Sequence, residues 1–421
     1  MRVLGTDRRV LVLAFARMAD ALGNSFLIVV LPLYIASGQI SIEEIVGATV
    51  PVLGITITES LLIGLALSLF GFLNSFSQPV TGRLSDRLGM RKGLILIGLV
   101  LLGVASGAFI FVSSYWAVLV LRALQGIGAA LTIPSTVALV NELATSAAER
   151  GGNFGVFNTF RLIGFGFGPI IAGVVIEVWG YHAAFGVAVA GAFVSFLLVA
   201  ALVSDTEETK TEAGDDLSIA IRGRGDRVLD PVFALGLGTI VMGIAIAMFA
   251  TLEAQINSRL SQPTYLFGLQ FGAVTLANVV AQIPIGRASD VYGRRPFLLL
   301  GFLLLVPSTA AQGYVTTSEA MTVARLLQGL AVALVFAPSL ALAGDVAKKG
   351  ASGTTLSVLT MSFGLGTAIG PLTSGYLVAF GFAVPFVVGG ILSVGAFGLV
   401  FSQVDETLAD TRSLPLVSAA D

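Results

Sequence analysis

Apolar stretches of about twenty residues recur along nearly the whole chain, and nothing else constrains its fold so tightly. A helix needs about 20 mostly apolar residues to cross a bilayer, since each backbone amide must find its partner inside the segment once water is gone. Twelve stretches of the 421-residue sequence reach that length: about 10–35, 61–82, 94–112, 115–140, 153–178, 182–203, 231–255, 265–286, 297–315, 318–343, 353–378 and 382–403. Charged residues make up 11% of the chain and hydrophobic ones 56%, against about 25% charged in an ordinary soluble domain. A water-soluble globule has too little polar surface to cover so much apolar material. The expected fold class is an all-α membrane protein with 12 transmembrane helices, with the lipid bilayer as its main solvent. The opening "MRVLGTDRRVLVLAF" runs on to about Ile35, longer than a signal peptide's apolar region of about 7–15 residues, and reads as a retained first span.

Composition also removes whole classes of function. Net charge is −2, so no nucleic-acid footprint exists and no nucleic-acid partner is expected. Cysteine is absent and His182 is the single histidine, which leaves no disulfide, no metal site, no cofactor and no catalytic cluster to expect. The sequence has no GxxxxGK[ST] loop for ATP. An enzyme is not expected.

Basic residues set the orientation. Arg17, Arg122, Arg161 and Arg325 lie inside spans and Arg259 lies in an outer loop; the remaining eighteen all collect on the side of the N-terminus. Both termini are therefore expected in the cytoplasm of a multi-pass cell-membrane protein, plasma or inner. The polar segment from Ser204 to Asp230 is the long interruption between six spans and six. The expected domains are a six-helix bundle over 1–203, a cytoplasmic linker over 204–230, and a second six-helix bundle with a short tail over 231–421.

The two halves repeat. "GRLSDRLGMRKGL" (82–94) returns as "GRASDVYGRRPFL" (286–298), "RALQGIGAALTIPS" (122–135) as "RLLQGLAVALVFAPS" (325–339), and "GFGFGPIIAG" (164–173) as "GLGTAIGPLTSG" (364–375). The offsets, 286 − 82 = 204 and 325 − 122 = 203, agree to one residue. Such duplication indicates two six-helix pseudo-repeats in parallel orientation, with a substrate path expected where they meet. With these motifs the chain resembles the major facilitator superfamily over its whole length, and the implied function is transport. In the family's signature turn, Gly82, Leu84, Asp86, Arg87, Gly89 and Arg91 match, while Met90 departs from the usual basic residue. Gly286, Asp290, Gly293, Arg294 and Arg295 match in the second copy, where Ala288 and Val291 depart. Either turn reads as a latch on the cytoplasmic side, in which aspartate caps a helix and arginines tie neighbouring helix ends, or as a plain positive-inside loop.

Several intramembrane residues are candidates for the transport chemistry. Asp20 lies about ten residues into the first span, and a carboxylate at that depth marks a proton or substrate site by default. Arg17, three residues earlier, shares its helical face, so the alternative is a static Arg17–Asp20 pair. The stretch from Asp20 to Pro32 resembles the first helix of the twelve-span drug:H+ antiporters. Arg122, with Gln125, Gly126 and Gly128, matches a fourth-helix motif that the family associates with proton coupling, and Arg325 with Gln328 and Gly329 echoes it. Gly155, Gly164, Gly168, Pro169 and Gly173 reproduce the spacing of the antiporter motif of the fifth helix, with Ala172 replacing one glycine. Arg161 is a further cation in that span, suited either to pair with Asp20 or to attract an anion. Asn24, Asn158, Asn278 and Gln282 are candidate cavity residues, each also explicable as glue between helices. Glu253, Glu177 and His182 read as solvated groups near outer ends.

The leading expectation is a proton-coupled exporter, an antiporter of small amphipathic or lipophilic compounds that functions as a monomer. The alternative is a uniporter or symporter for a sugar, metabolite or organic anion.

Overall fold

The structure is a computed structural model that describes residues 2–3, 6–50, 54–144, 147–205, 221–223, 228–346 and 352–408. Most of the expected linker over 204–230 lies outside the described residues, as do Lys210, Arg224, Arg227, Lys348, Lys349 and Arg412. The rest is almost all helix: α1 (Arg8–Ala36), α2 (Glu59–Leu88), α3 (Arg91–Ala108), α4 (Tyr115–Glu142), α5 (Ala147–Leu202), α6 (Pro231–Ala247), α7 (Glu253–Leu260), α8 (Thr264–Tyr292), α9 (Arg294–Ala310), α10 (Ser318–Val346), α11 (Ser352–Leu377) and α12 (Val384–Gln403). Among the described residues, eleven helical stretches are long and apolar enough to cross a membrane, so this is a multi-pass membrane protein.

Two of these stretches are interrupted. The run Gly152–Leu202 is 51 residues long, which at 1.5 Å per residue comes to about 76 Å, more than twice a hydrocarbon core of about 30 Å. At Gly180 the backbone stands at φ 78, ψ −178, a region open essentially to glycine alone. The fifth and sixth apolar stretches of the sequence lie on either side of that break. The run Pro231–Leu260 contains a 3-10 turn, Met248–Leu252, between α6 and α7.

Helix starts follow local chemistry. Asp7 caps α1 by accepting from Arg9 N at 2.7 Å. Thr58 caps α2 by accepting from Leu61 N at 3.2 Å. Asp230 accepts from Val232 N at 2.9 Å, with Pro231 at the first helical position, where its missing N–H costs nothing. Between α1 and α2, a two-residue ladder joins β3 (Thr49–Val50) to β4 (Ile55–Thr56), and Ser41 N donates to Ser113 O at 2.7 Å. A second small ladder, β1 (Arg2–Val3) with β2 (Thr6–Asp7), precedes α1.

The chain forms two compact units. One comprises Met1–Asp215, Ala250–Gly272 and Ser374–Tyr376; the other comprises Asp216–Phe249, Ala273–Thr373 and Leu377–Asp421. In the first, Leu13, Ile95, Leu99, Leu102, Leu139 and Val199 build the core. In the second, Leu235, Leu298, Phe302, Leu305, Leu342 and Val400 do so. Ile95, Leu99, Leu102 and Leu139 correspond to Leu298, Phe302, Leu305 and Leu342 at one offset, 298 − 95 = 203.

Candidate functional site

In the first unit, α1 carries Arg17 and Asp20 on one face, and Arg17 Nη1 donates to Asp20 Oδ2 in a buried ion pair. Their side chains are 11% and 7% exposed. At that depth the pair supplies each charge with the counter-charge that lipid and protein do not. A small cavity beside it is lined by Arg17, Asp20, Leu99, Thr132, Thr136 and Ser195, among others. The three hydroxyls donate to backbone carbonyls: Thr132 to Gly128 O at 2.9 Å, Thr136 to Thr132 O at 2.7 Å, and Ser195 to Ala16 O.

Arg161 of α5 lies near enough to Arg17 for their charges to repel. Its Nε donates to Asn158 Oδ1 at 3.0 Å, and it makes no ion pair among the described residues. Asp20 is paired with Arg17 alone, and Arg161 acts on that pair through its charge on Arg17. The seam between α1 and α5 is kept narrow by small residues. A Cβ at Gly168 would stand 2.8 Å from Leu22 O, and one at Gly164 would stand 3.0 Å from the Met18 carbonyl carbon. Pro169 lies inside α5. Gly173 lies against Tyr265 and Thr264, whereas Gly155 has open space around it. Four residues of the antiporter-like motif therefore sit in the packed part of the helix, and Gly155 is outside it. Asn24 is half-buried on α1.

Arg122 is not joined to this pair by any hydrogen bond or ion pair among the described residues. Its Nε donates to Ala66 O at 3.0 Å and its Nη1 to Gln125 Oε1 at 2.9 Å, while Gln125 Nε2 donates to Ser106 Oγ at 2.9 Å. The guanidinium also lies 4.6 Å from the Phe70 ring centre, a cation–π distance. In the second unit Arg325 Nη1 donates to Gln328 Oε1 at 2.6 Å, Gln328 Nε2 donates to Thr309 Oγ1 at 3.0 Å, and Phe249 takes the ring position at 4.1 Å. Asn278 and Gln282, also of the second unit, are half-buried on α8; Asn278 Oδ1 is buried with no hydrogen-bond partner.

The signature turn has a defined geometry. Gly89 ends α2 at φ 63, a left-handed cap that a side chain would strain. Arg91, its side chain 3% exposed, donates to Asp86 Oδ1 at 2.6 Å, to Ser85 Oγ at 2.9 Å, and to Glu142 Oε1 at 2.7 and 2.9 Å. Gly82 makes an ordinary contact with Pro134, and Arg87 is exposed and makes no ion pair among the described residues. In the second unit Arg294 pairs with Asp290 at 3.4 Å and with Asp345. There Arg295 Nη2 donates to Phe401 O at 2.7 Å, Gly293 stands at φ 97, and Gly286 has open space around it.

Glu142 and Asp345 are residues that reading the sequence passed over, and Glu253 is one that it misread. The first two become visible only through the repeat, since 345 − 142 = 203, the offset that separates Arg91 from Arg294. Glu253 is not a solvated end group. It is 0% exposed, and neither carboxylate oxygen has a hydrogen-bond partner.

The family model of the Major Facilitator Superfamily matches residues 13–253 and again 232–414. An uncharacterized MFS-type transporter of Methanocaldococcus jannaschii is 27% identical over 176 residues, 42% of this chain and 46% of its own, so the match spans less than half of that relative. The multi-drug resistance efflux pump PmrA homolog of Lactococcus lactis is 24% identical over 85% of each chain. Among solved structures, the human organic anion transporter MFSD10 aligns with a TM-score of 0.67 over 93% of this chain and 99% of its own, at 20% identity, a likeness of fold. Spans, duplicated turns and family match agree: the chain belongs to the Major Facilitator Superfamily.

Proposed function

We propose that the protein is a proton-coupled exporter, an antiporter of small amphipathic or lipophilic compounds, with twelve spans in two six-helix repeats and both termini cytoplasmic. The observation that carries this reading is the buried Arg17–Asp20 pair. Asp20 has three possible partners: Arg17, a proton, or a cationic group on a substrate. Proton and cationic substrate compete for one carboxylate, and that competition is what exchanges one for the other across the membrane. Arg161 keeps Arg17 from holding Asp20 unopposed, because its charge repels Arg17.

The rest of the cycle follows from residues already placed. The clusters Arg91–Asp86–Glu142 and Arg294–Asp290–Asp345 act as cytoplasmic latches, one in each repeat. Arg122 and Arg325 brace neighbouring helices, and in this reading Arg122 supports coupling by position rather than by touching Asp20. Half-buried Asn24, Asn158, Asn278 and Gln282 offer polar points to substrate. The efflux-pump relative supports export. The site of action is the cell membrane and the working unit a monomer.

One observation favours a second reading, a uniporter or symporter for an organic anion: Arg17 and Arg161 outnumber Asp20. Protonating Asp20 then frees Arg17, so proton and anion bind together instead of competing. The two readings differ in sign. Binding of ethidium and of carboxyfluorescein to purified protein, measured across pH by fluorescence polarisation, separates them. The exporter reading expects ethidium to bind and to be released on acidification; carboxyfluorescein binding that tightens on acidification, with no ethidium binding, overturns it.

A further inference from the structure

Glu253 opens α7, directly after the 3-10 turn that interrupts the apolar run Pro231–Leu260. An acid at the head of a helix ordinarily accepts from free backbone N–H groups or from water. Here the side chain is fully enclosed and both oxygens are without a donor. Enclosing an ionised carboxylate in this way is among the most costly arrangements a protein can hold, unless a counter-charge is present.

Among the described residues no such counter-charge faces it. Tyr181, in the second half of α5, is the group within electrostatic range of Glu253. Tyr34 of α1, the helix packed against α7, stands edge-on to Tyr181 with ring centres 5.4 Å apart. From α2, the Ser60 hydroxyl accepts from Gln255 Nε2 at 2.7 Å, with Glu59 beside it. These facing groups are neutral or acidic. Arg259, in the last turn of α7, is exposed, and no ion pair reaches Glu253 among the described residues. Tyr34 lies fourteen residues beyond Asp20 on α1, about 21 Å along the helix, so Asp20 and Glu253 are separate places.

We propose that Glu253 is a second proton-carrying carboxyl of the transport cycle, a neutral acid while it is enclosed as here and a carboxylate once water reaches the head of α7. Its transport consequence rests on the proton-coupled reading given above; its protonation does not. With two such carboxyls, the protons moved per substrate fall when either is lost.

N,N′-dicyclohexylcarbodiimide tests the protonation directly in wild-type proteoliposomes. The reagent enters lipid and adds a protonated carboxyl across one C=N bond. The acid proton goes to nitrogen, the carboxyl oxygen bonds to carbon, and an oxygen-to-nitrogen acyl shift leaves a stable N-acylurea that peptide mass spectrometry locates. The expected result is labelling at Glu253 at neutral pH that falls at least tenfold in alkaline buffer. Alongside it, E253Q should carry fewer protons per substrate than wild type, and E253D should restore the count. Glu253 unlabelled at every pH while Asp20 is labelled in the same sample overturns the inference and leaves the Asp20 reading standing. A proton count unchanged in E253Q also overturns it. Labelling at Glu253 with no substrate-linked proton flux in any variant refutes the proton-coupled reading and removes this residue's part in transport with it.

Discussion

Arg91 and Glu142 are 51 residues apart in sequence and 2.7 Å apart in space, and the same separation joins Arg294 to Asp345 one repeat later. In each unit an arginine at the start of one helix ties down the far end of the next. Arg91 is the more enclosed of the two arginines, with a side-chain exposure of 3% against 11%.

Glu142→Gln should therefore destabilise more than Asp345→Asn. Stranding one member of a buried pair costs about 3–5 kcal/mol; with Asp86 still bonded to Arg91, about 2 kcal/mol is expected for Glu142→Gln. Asp345 is about one-third exposed, and solvent screening should hold its loss to about 1 kcal/mol or less. Thermal unfolding in detergent, followed by tryptophan fluorescence, checks the order. Equal shifts would contradict it.

The seam between α1 and α5 should reject bulk at Gly168 and accept it at Gly155. A Cβ at Gly168 meets Leu22 O at 2.8 Å, whereas Gly155 has nothing within 4 Å. Gly168→Val should abolish the monodisperse peak in size-exclusion chromatography. Gly155→Ala should change stability by no more than about 0.5 kcal/mol.

Gln125 and Gln328 hold buried arginines in matching triads. Gln125→Leu and Gln328→Leu should each cost about 1–3 kcal/mol, because a buried guanidinium N–H loses its acceptor in either case. Double-mutant cycles with Arg122→Leu and Arg325→Leu should recover much of each loss, since the orphaned donor is then gone.

Asp7 lies just outside the first span and caps it. Burial raises its carboxyl pKa, but hydrogen bonds and charge from Arg9 outweigh that and hold it below the ordinary 3.8. A lowered folded-state value means the cap contributes fully above pH 3.8 and fades as pH drops further through the folded value. Amide exchange over the first turn of α1 should accelerate in that acid window. Asp7→Ala should accelerate it already at neutral pH, by about 1 kcal/mol of local stability.

These residues also show what was legible in the sequence. Span lengths, the duplicated turns and the depth of Asp20 are properties of local composition, so the apolar stretches fall on helices, although α5 holds two of them across Gly180 and α7 is a short helix at the end of another. The pairing of Arg17 with Asp20 follows from an i,i+3 spacing. Glu142 and Asp345 could not be read in the same way, because each is a lone acid at a helix end whose partner is 51 residues away. Glu253 was misjudged for a different reason. Hydropathy runs smoothly through Met248–Leu252, so the 3-10 break that sets the head of α7 inside the protein leaves no compositional mark.

The measurement that bears most directly on the central claim is substrate-driven proton flux in oriented proteoliposomes, with lumenal pH followed as a lipophilic cation such as ethidium is added under an imposed pH gradient. Wild type should show a cation-dependent proton flux, and Asp20→Asn should lose it while remaining folded and inserted. Cation transport without proton movement, unchanged in Asp20→Asn, would contradict the account and leave Asp20 as a static partner of Arg17.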